Sequence, residues 1–232
     1  MRFVSACLLV FLVFLITAIL PVFAHEDHSL PEATEGQINE ALAKTAPLRF
    51  LPSHSLYFVI SLKEKINRFF QPSSLERAKF DFVVSGKRLK ESYILLSQND
   101  VRRASRALVD YSKRLTKMNE QIEKARSQNQ DVAVVTFEIA EGLRNHEVLL
   151  YAISKKWELI GDSYNFDENL SLSVLRFIET VKVLDNIKPG IKDRFKTATS
   201  AAFERKPTPT PSPASSEFPE TSSTARPKRL IY

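Results

Sequence analysis

The chain has 232 residues, a formal charge of +6, and only five glycines against twelve prolines. Scarce glycine suits long helices and argues against a turn-rich β-sandwich. The single cysteine, Cys7, sits in the first apolar run, so a chain that loses that run has neither disulfides nor thiolate chemistry.

Arg2 gives a positive start, Phe3 to Leu20 is uncharged and apolar, and Pro21 interrupts it. Val22-Phe23-Ala24 then offers small residues where a signal peptidase reads. Residues 1–24 are therefore expected to be a signal peptide, with an uncleaved anchor as the alternative, since the run is long enough to span a bilayer. Either way, the working part of the chain is expected outside the cytoplasmic membrane. Cleavage would leave His25-Glu26-Asp27-His28 as the new terminus.

Residues 25–50 form a polar segment with one weak helix near 36–44, where Ile38, Ala41 and Leu42 make a thin apolar face that either docks or stays loose. Leu51-Pro52-Ser53 opens a clearer helix through Phe70, with Leu56, Val59, Ile60, Ile66 and Phe70 at helical spacing and Lys63, Lys65 and Arg68 among its polar positions. Ser73 followed by Glu76 is a capping-box pattern. From Ser73 to Arg126 the chain reads as a helical hairpin. Leu75, Ala78, Phe82, Ser85, Leu89, Ser92 and Leu96 fall on one seam, and Val101, Ala104, Leu108, Tyr111, Leu115, Met118, Ile122 and Ala125 on the next. Ser97-Gln98-Asn99-Asp100 is the turn between them.

Asn129-Gln130-Asp131 starts a helix to about Ile160, carrying Val132, Val135, Ile139, Gly142, His146, Leu149 and Ile153. Asp167 to Ile187 gives another, with Leu170, Val174, Phe177, Val181 and Leu184 on one stripe, and Ile191, Phe195, Ala198 and Ala202 suggest a short last one. No alternating strand pattern is found. The expected fold is all-α, an elongated antiparallel bundle of about four to six helices over residues 51–204. Residues 205–232, rich in Pro, Ser and Thr, read as a disordered tail.

Charge is segregated. Lys63 to Arg126 holds sixteen Lys/Arg and eight Asp/Glu, a net of +8, whereas Asp131 to Asp185 holds five and ten, a net of −5. The two halves either complement each other along their edges, or the basic hairpin faces an anionic lipid, polymer or protein. Nucleic acid is not expected, because no reading motif accompanies the basic residues.

Catalytic chemistry finds little support. His25 and His28 cluster with two carboxylates but at a chain terminus, and His54 stands beside a turn. His146 falls on the apolar seam, yet Leu143 occupies the position where a Glu-x-x-His di-metal pair needs its glutamate. It reads as a core or boundary histidine bonded to a neighbouring helix. Gly161-Asp162-Ser163 is a helix terminator without the strand of a nucleophile elbow. No catalytic, cofactor-binding or metal-ligating residue is assigned, and no enzyme is expected. The aromatic group Tyr57, Phe58, Phe69, Phe70, Phe80, Phe82 and Tyr93 could line a groove, but a packed interior is its default reading. Gly86 and Gly142 could permit a close helix crossing.

Leu51-Pro52-x-x-Ser55-Leu56-Tyr57, then Lys63-Glu64, Leu75-Glu76-Arg77-Ala78 and Lys87-Arg88-Leu89-Lys90-Glu91 occur in that order. This run resembles an uncharacterised family of exported bacterial helical domains, the domain-of-unknown-function family numbered fifty-six sixty-seven, over about Leu51 to Ile153. The spacing after Pro52 is one residue longer than in the family pattern, and Phe80 to Val84 is more apolar. The resemblance implies an extracytoplasmic helical module with no established activity and no catalytic residues to carry over. The leading expectation is a non-enzymatic envelope interaction or scaffold protein. The alternatives are a small-ligand or metal-binding protein and a membrane-anchored sensor.

Overall fold

The computed structural model describes residues 30–161 and 164–203. The expected signal segment, His25 and His28, and the tail over residues 205–232 lie outside these. The described residues form helices α1 (Glu35–Lys44), α2 (Tyr57–Phe69), α3 (Ser74–Ser97), α4 (Val101–Ser127), α5 (Ala133–Ile160), α6 (Tyr164–Ile187) and α7 (Lys196–Phe203), with a 3-10 turn at Lys192–Arg194 and no strand. The fold is all-α, as the periodicity predicts.

Helix ends follow from local chemistry. Ser73 accepts from the Glu76 N–H to start α3, and Asp100 accepts from the Arg103 N–H to start α4. Helices α3 and α4 both stop at an asparagine in the left-handed region, Asn99 at φ 59° and Asn129 at φ 55°. In each case the following N–H returns to a carbonyl five residues back, Asp100 to Leu95 and Gln130 to Ala125. Asparagine tolerates that conformation, so the Gln-Asn pair recurs at both turns. At α1, Thr34 and Gln37 complete a full reciprocal capping box, which fixes a start one residue before the sequence estimate.

The long helices α3 to α6 make a bundle in which α3 packs on α4 and α5, and α6 packs on the same two. Both predicted seams are interior: Leu89, Leu96, Leu108, Tyr111, Leu115 and Met118 are fully buried. Small polar residues let the backbones approach. The Ser92 hydroxyl donates across the hairpin to the Ala104 carbonyl, and Ser112 meets Ser173 between α4 and α6 at 3.1 Å. The thin α1 docks against α5, burying Ala41, and Lys90 donates to its Leu42 carbonyl at 2.7 Å. Helix α7 closes against α6 with Phe195 fully buried and in edge contact with Phe177.

Three expectations need correction. The helix read from Leu51 begins only at Tyr57, because Pro52 and its neighbours form two successive turns that close through Leu51 O and His54 O. Exposed His54 accepts there from the Leu56 N–H. Complementarity between the charge-segregated halves is thin: among the described residues, Lys79–Glu138 at 3.0 Å is the one ion pair that joins them. The third correction concerns α2, whose apolar face does not enter the core.

Candidate functional site

Helix α2 is mounted with its polar side inward. Tyr57, Glu64 and Arg68 recur at steps of seven and four, which places them on one helical face. That face lies on α3 and meets a row of charges. Arg88 donates to both Glu91 oxygens at 2.7 Å, to Glu64 Oε2 and to the Tyr57 hydroxyl. The Tyr57 hydroxyl in turn donates to Glu91 Oε2 at 2.9 Å, and Lys87 reaches Glu64 Oε1 at 2.5 Å. About two turns nearer the start of α3, the buried Asp81 carboxylate is shared by Arg68 of α2 (2.9 Å) and Arg114 of α4 (2.7 Å). A single carboxylate thus ties three helices together.

Electrostatics in this cluster is cooperative. Burial works against charge on Arg88, yet Glu91 and Glu64 beside it hold the guanidinium above its ordinary pKa. Burial pushes the Glu91 carboxyl up, and Arg88 pulls it back only in part. Burial, followed by the charge of Glu91, raises the Tyr57 phenol, which therefore remains a protonated donor. These groups satisfy one another, as buried charges must. Together they fasten α2 to α3.

The residues that carry the family resemblance converge on this fastening. Tyr57 of the opening motif, Glu64, and the Arg88 and Glu91 pair are its core. Arg77 donates to the Gln71 carbonyl and holds the α2–α3 turn, and Ala78, with no exposed surface, permits close packing on α4.

The opposite face of α2 looks outward. Phe58, Val59, Leu62, Ile66, Phe69 and Phe70 are all exposed, with Phe69 at 79% and Phe70 at 73%. This overturns the packed-interior reading for Phe58, Phe69 and Phe70. Phe50, stacked on His54 at 4.5 Å, extends the apolar surface beyond the helix start. Lys63 and Lys65 are exposed on either flank of the stripe, while the helix's only acidic residue, Glu64, is turned inward. The signal for this inversion was present in the sequence as the Tyr57–Glu64–Arg68 stripe opposite Arg88 and Glu91.

Phe82 and Tyr93 do pack against the core. His146 is fully interior: its ring stacks on Phe82 at 5.0 Å and meets Tyr111 edge-on at 5.7 Å. The expected bond to a neighbouring helix is not made, and Nδ1 has no partner among the described residues. Burial lowers its pKa to about 3, so the imidazole is neutral. The two helix-interrupting glycines explain the stack. Phe82 of α3 lies over Gly142 of α5, where a Cβ would come within 2.3 Å of the ring, and His146 of α5 lies over Gly86 of α3, where a Cβ would come within 2.7 Å of Nε2. Each ring fills the gap left by the other helix's glycine. A cleft of about 290 Å³ opens beside them, bounded by Thr45 and Asn145.

A wider groove of about 740 Å³ runs along the exposed Arg102, Arg106 and Lys113 of α4, facing Trp157 and Asn169. Trp157 donates there to Asp167 Oδ1 at 2.5 Å. Among the described residues, no cluster of three or more His, Cys, Asp or Glu is placed to hold a metal ion, and no helix is long and apolar enough to cross a membrane.

No curated protein and no solved structure matches the chain. Residues 49–156 match the model of DUF5667, a domain of unknown function, and that span contains all of α2, α3 and α4 and most of α5. The ion network and the outward helix both lie inside it. Over residues 49–156 the chain is therefore similar to the DUF5667 family.

Proposed function

We propose that this protein is a non-enzymatic extracytoplasmic interaction module in which the bundle is a rigid mount and α2 the docking element. One observation carries the reading: an amphipathic helix fastened by its polar face, with six large apolar side chains left in solvent. Burying that stripe would gain about 25 cal/mol per Å² of apolar surface, and an exposed apolar patch of this kind marks an interaction site. The mounting chemistry makes the inversion stable, because rolling the helix over would take Glu64 from Lys87 and Arg88, and Arg68 from Asp81, in the interface. The export signal expected at residues 1–24 supports the same reading.

The test is a photo-crosslinking residue placed at Phe69 in the full chain, expressed in its own cells. Adducts to an envelope component, lost when the same residue is placed at the buried position Leu115, are expected. Recovery of free monomer alone from position 69 would overturn the proposal.

A further inference from the structure

Resting on that reading, we infer that α2 docks on an anionic lipid surface, lying in the plane of the interface with its apolar stripe among the acyl chains. The outward stripe of Phe58, Val59, Leu62, Ile66, Phe69 and Phe70 is a convex ridge, and a fluid bilayer accommodates a ridge without a complementary groove. Its thirteen residues extend about 20 Å, which is too short to span a bilayer but suited to lying along one. Such helices place their apolar face about 5–10 Å deep, at the boundary of headgroups and chains.

Charge selects the lipid class. Of the four charged residues in α2, Glu64 and Arg68 are spent on the bundle, so the solvent side carries only Lys63 and Lys65. They flank the stripe on both sides, which sets each ammonium at headgroup level while its stem lies along the apolar surface. The domain behind α2 belongs to the basic half of the chain, with its net of +8 from Lys63 to Arg126. A second copy of the chain is a poorer occupant. One exposed face of a thirteen-residue helix offers a few hundred Å² at most, against about 800 Å² per partner in a stable interface, and two such faces would bring four lysines together.

The experiment uses the full chain with Phe69→Trp as a reporter and the parent chain, whose buried Trp157 supplies the background. Vesicles of equimolar phosphatidylglycerol and phosphatidylcholine should shift the new emission to the blue, and bromine on the acyl chains should quench it. The Lys63→Gln/Lys65→Gln double variant of the reporter should need about thirtyfold more of the same lipid, from about fivefold per lysine. Because the reporter sits on α2, attachment through the apolar run of residues 3–20 does not by itself produce these changes. An emission from position 69 that ignores lipid would overturn the inference. So would an equal response to pure phosphatidylcholine, or a blue shift that depends on protein concentration without lipid, which marks self-association. A protein adduct from the crosslinking residue at position 69 together with a silent lipid assay would retain the interaction module and discard its lipid partner.

Discussion

His146 provides a quantitative test of the packed interior. Its ring is enclosed by Phe82, Tyr111 and the Gly86 backbone, and burial holds its pKa at about 3 against 6.5 in the unfolded chain. The folded state therefore refuses a proton that the unfolded state accepts. Above pH 6.5 neither state is charged and the residue imposes no penalty. As pH falls from 6.5 towards 3, the unfolded chain is progressively favoured, and stability is lost across that window. At pH 5.0 the unfolded imidazole is about 97% protonated and the folded one almost not at all, which amounts to about 2 kcal/mol of lost stability relative to pH 7.5. Carboxylates also titrate on the way down, so the useful quantity is a difference. Urea unfolding of the full chain and of His146→Leu, followed by circular dichroism at both pH values, isolates it. The stability gap between parent and variant should move by about 2 kcal/mol in the variant's favour at pH 5.0. Parallel pH profiles would refute the argument and would mean that the imidazole finds a proton acceptor or water inside the folded bundle.

The ion network predicts an asymmetric pair of results. Arg88→Met leaves buried Glu91 with no cation beside it and Glu64 with Lys87 alone, and should cost about 3–5 kcal/mol, whereas Tyr57→Phe removes one hydroxyl and should cost about 1 kcal/mol, both read from urea midpoints. Equal small losses would mean that α2 is not fastened by these charges. At the glycine crossing, Gly142→Ala gains up to about 1 kcal/mol of helix propensity but must displace the Phe82 ring. That ring is stacked on His146, so the balance should be destabilising by about 1–2 kcal/mol, and a raised melting temperature would contradict it.

Much of the architecture was legible because a helical seam is a strong periodic signal. Leu108, Leu115 and Met118 announce their burial through spacing, and Asn99 and Asn129 announce where the helices must stop. The same rule misplaced α2, since periodicity says which residues share a face and not which face turns towards the core. Apolar Phe58, Phe69 and Phe70 looked like core under a rule that weighs only hydrophobicity. The competing term, a row of mutually satisfying charges on two helices, becomes visible only when Glu64, Arg88 and Glu91 are considered together. His146 was placed correctly on the seam but given a partner it lacks, because sequence cannot show that Gly86 and Gly142 make room for a stack between two aromatic rings. Residues 36–44 left docking and looseness open, and the small Ala41, pressed onto α5, decided for docking.

The polar mounting of α2 gives the molecule two unlike kinds of stability. Separating α3 from α4 wets a large oily surface, so it grows easier steeply with urea and carries a large heat-capacity change. Swinging α2 away as an intact helix wets mainly Tyr57, Glu64, Arg68 and the charges they meet, and its apolar stripe is wet already. That motion has almost no denaturant dependence and little heat-capacity change. The attachment of this one arm therefore answers to the pairing of its charges, whereas the bundle beneath it answers to the burial of its apolar seams.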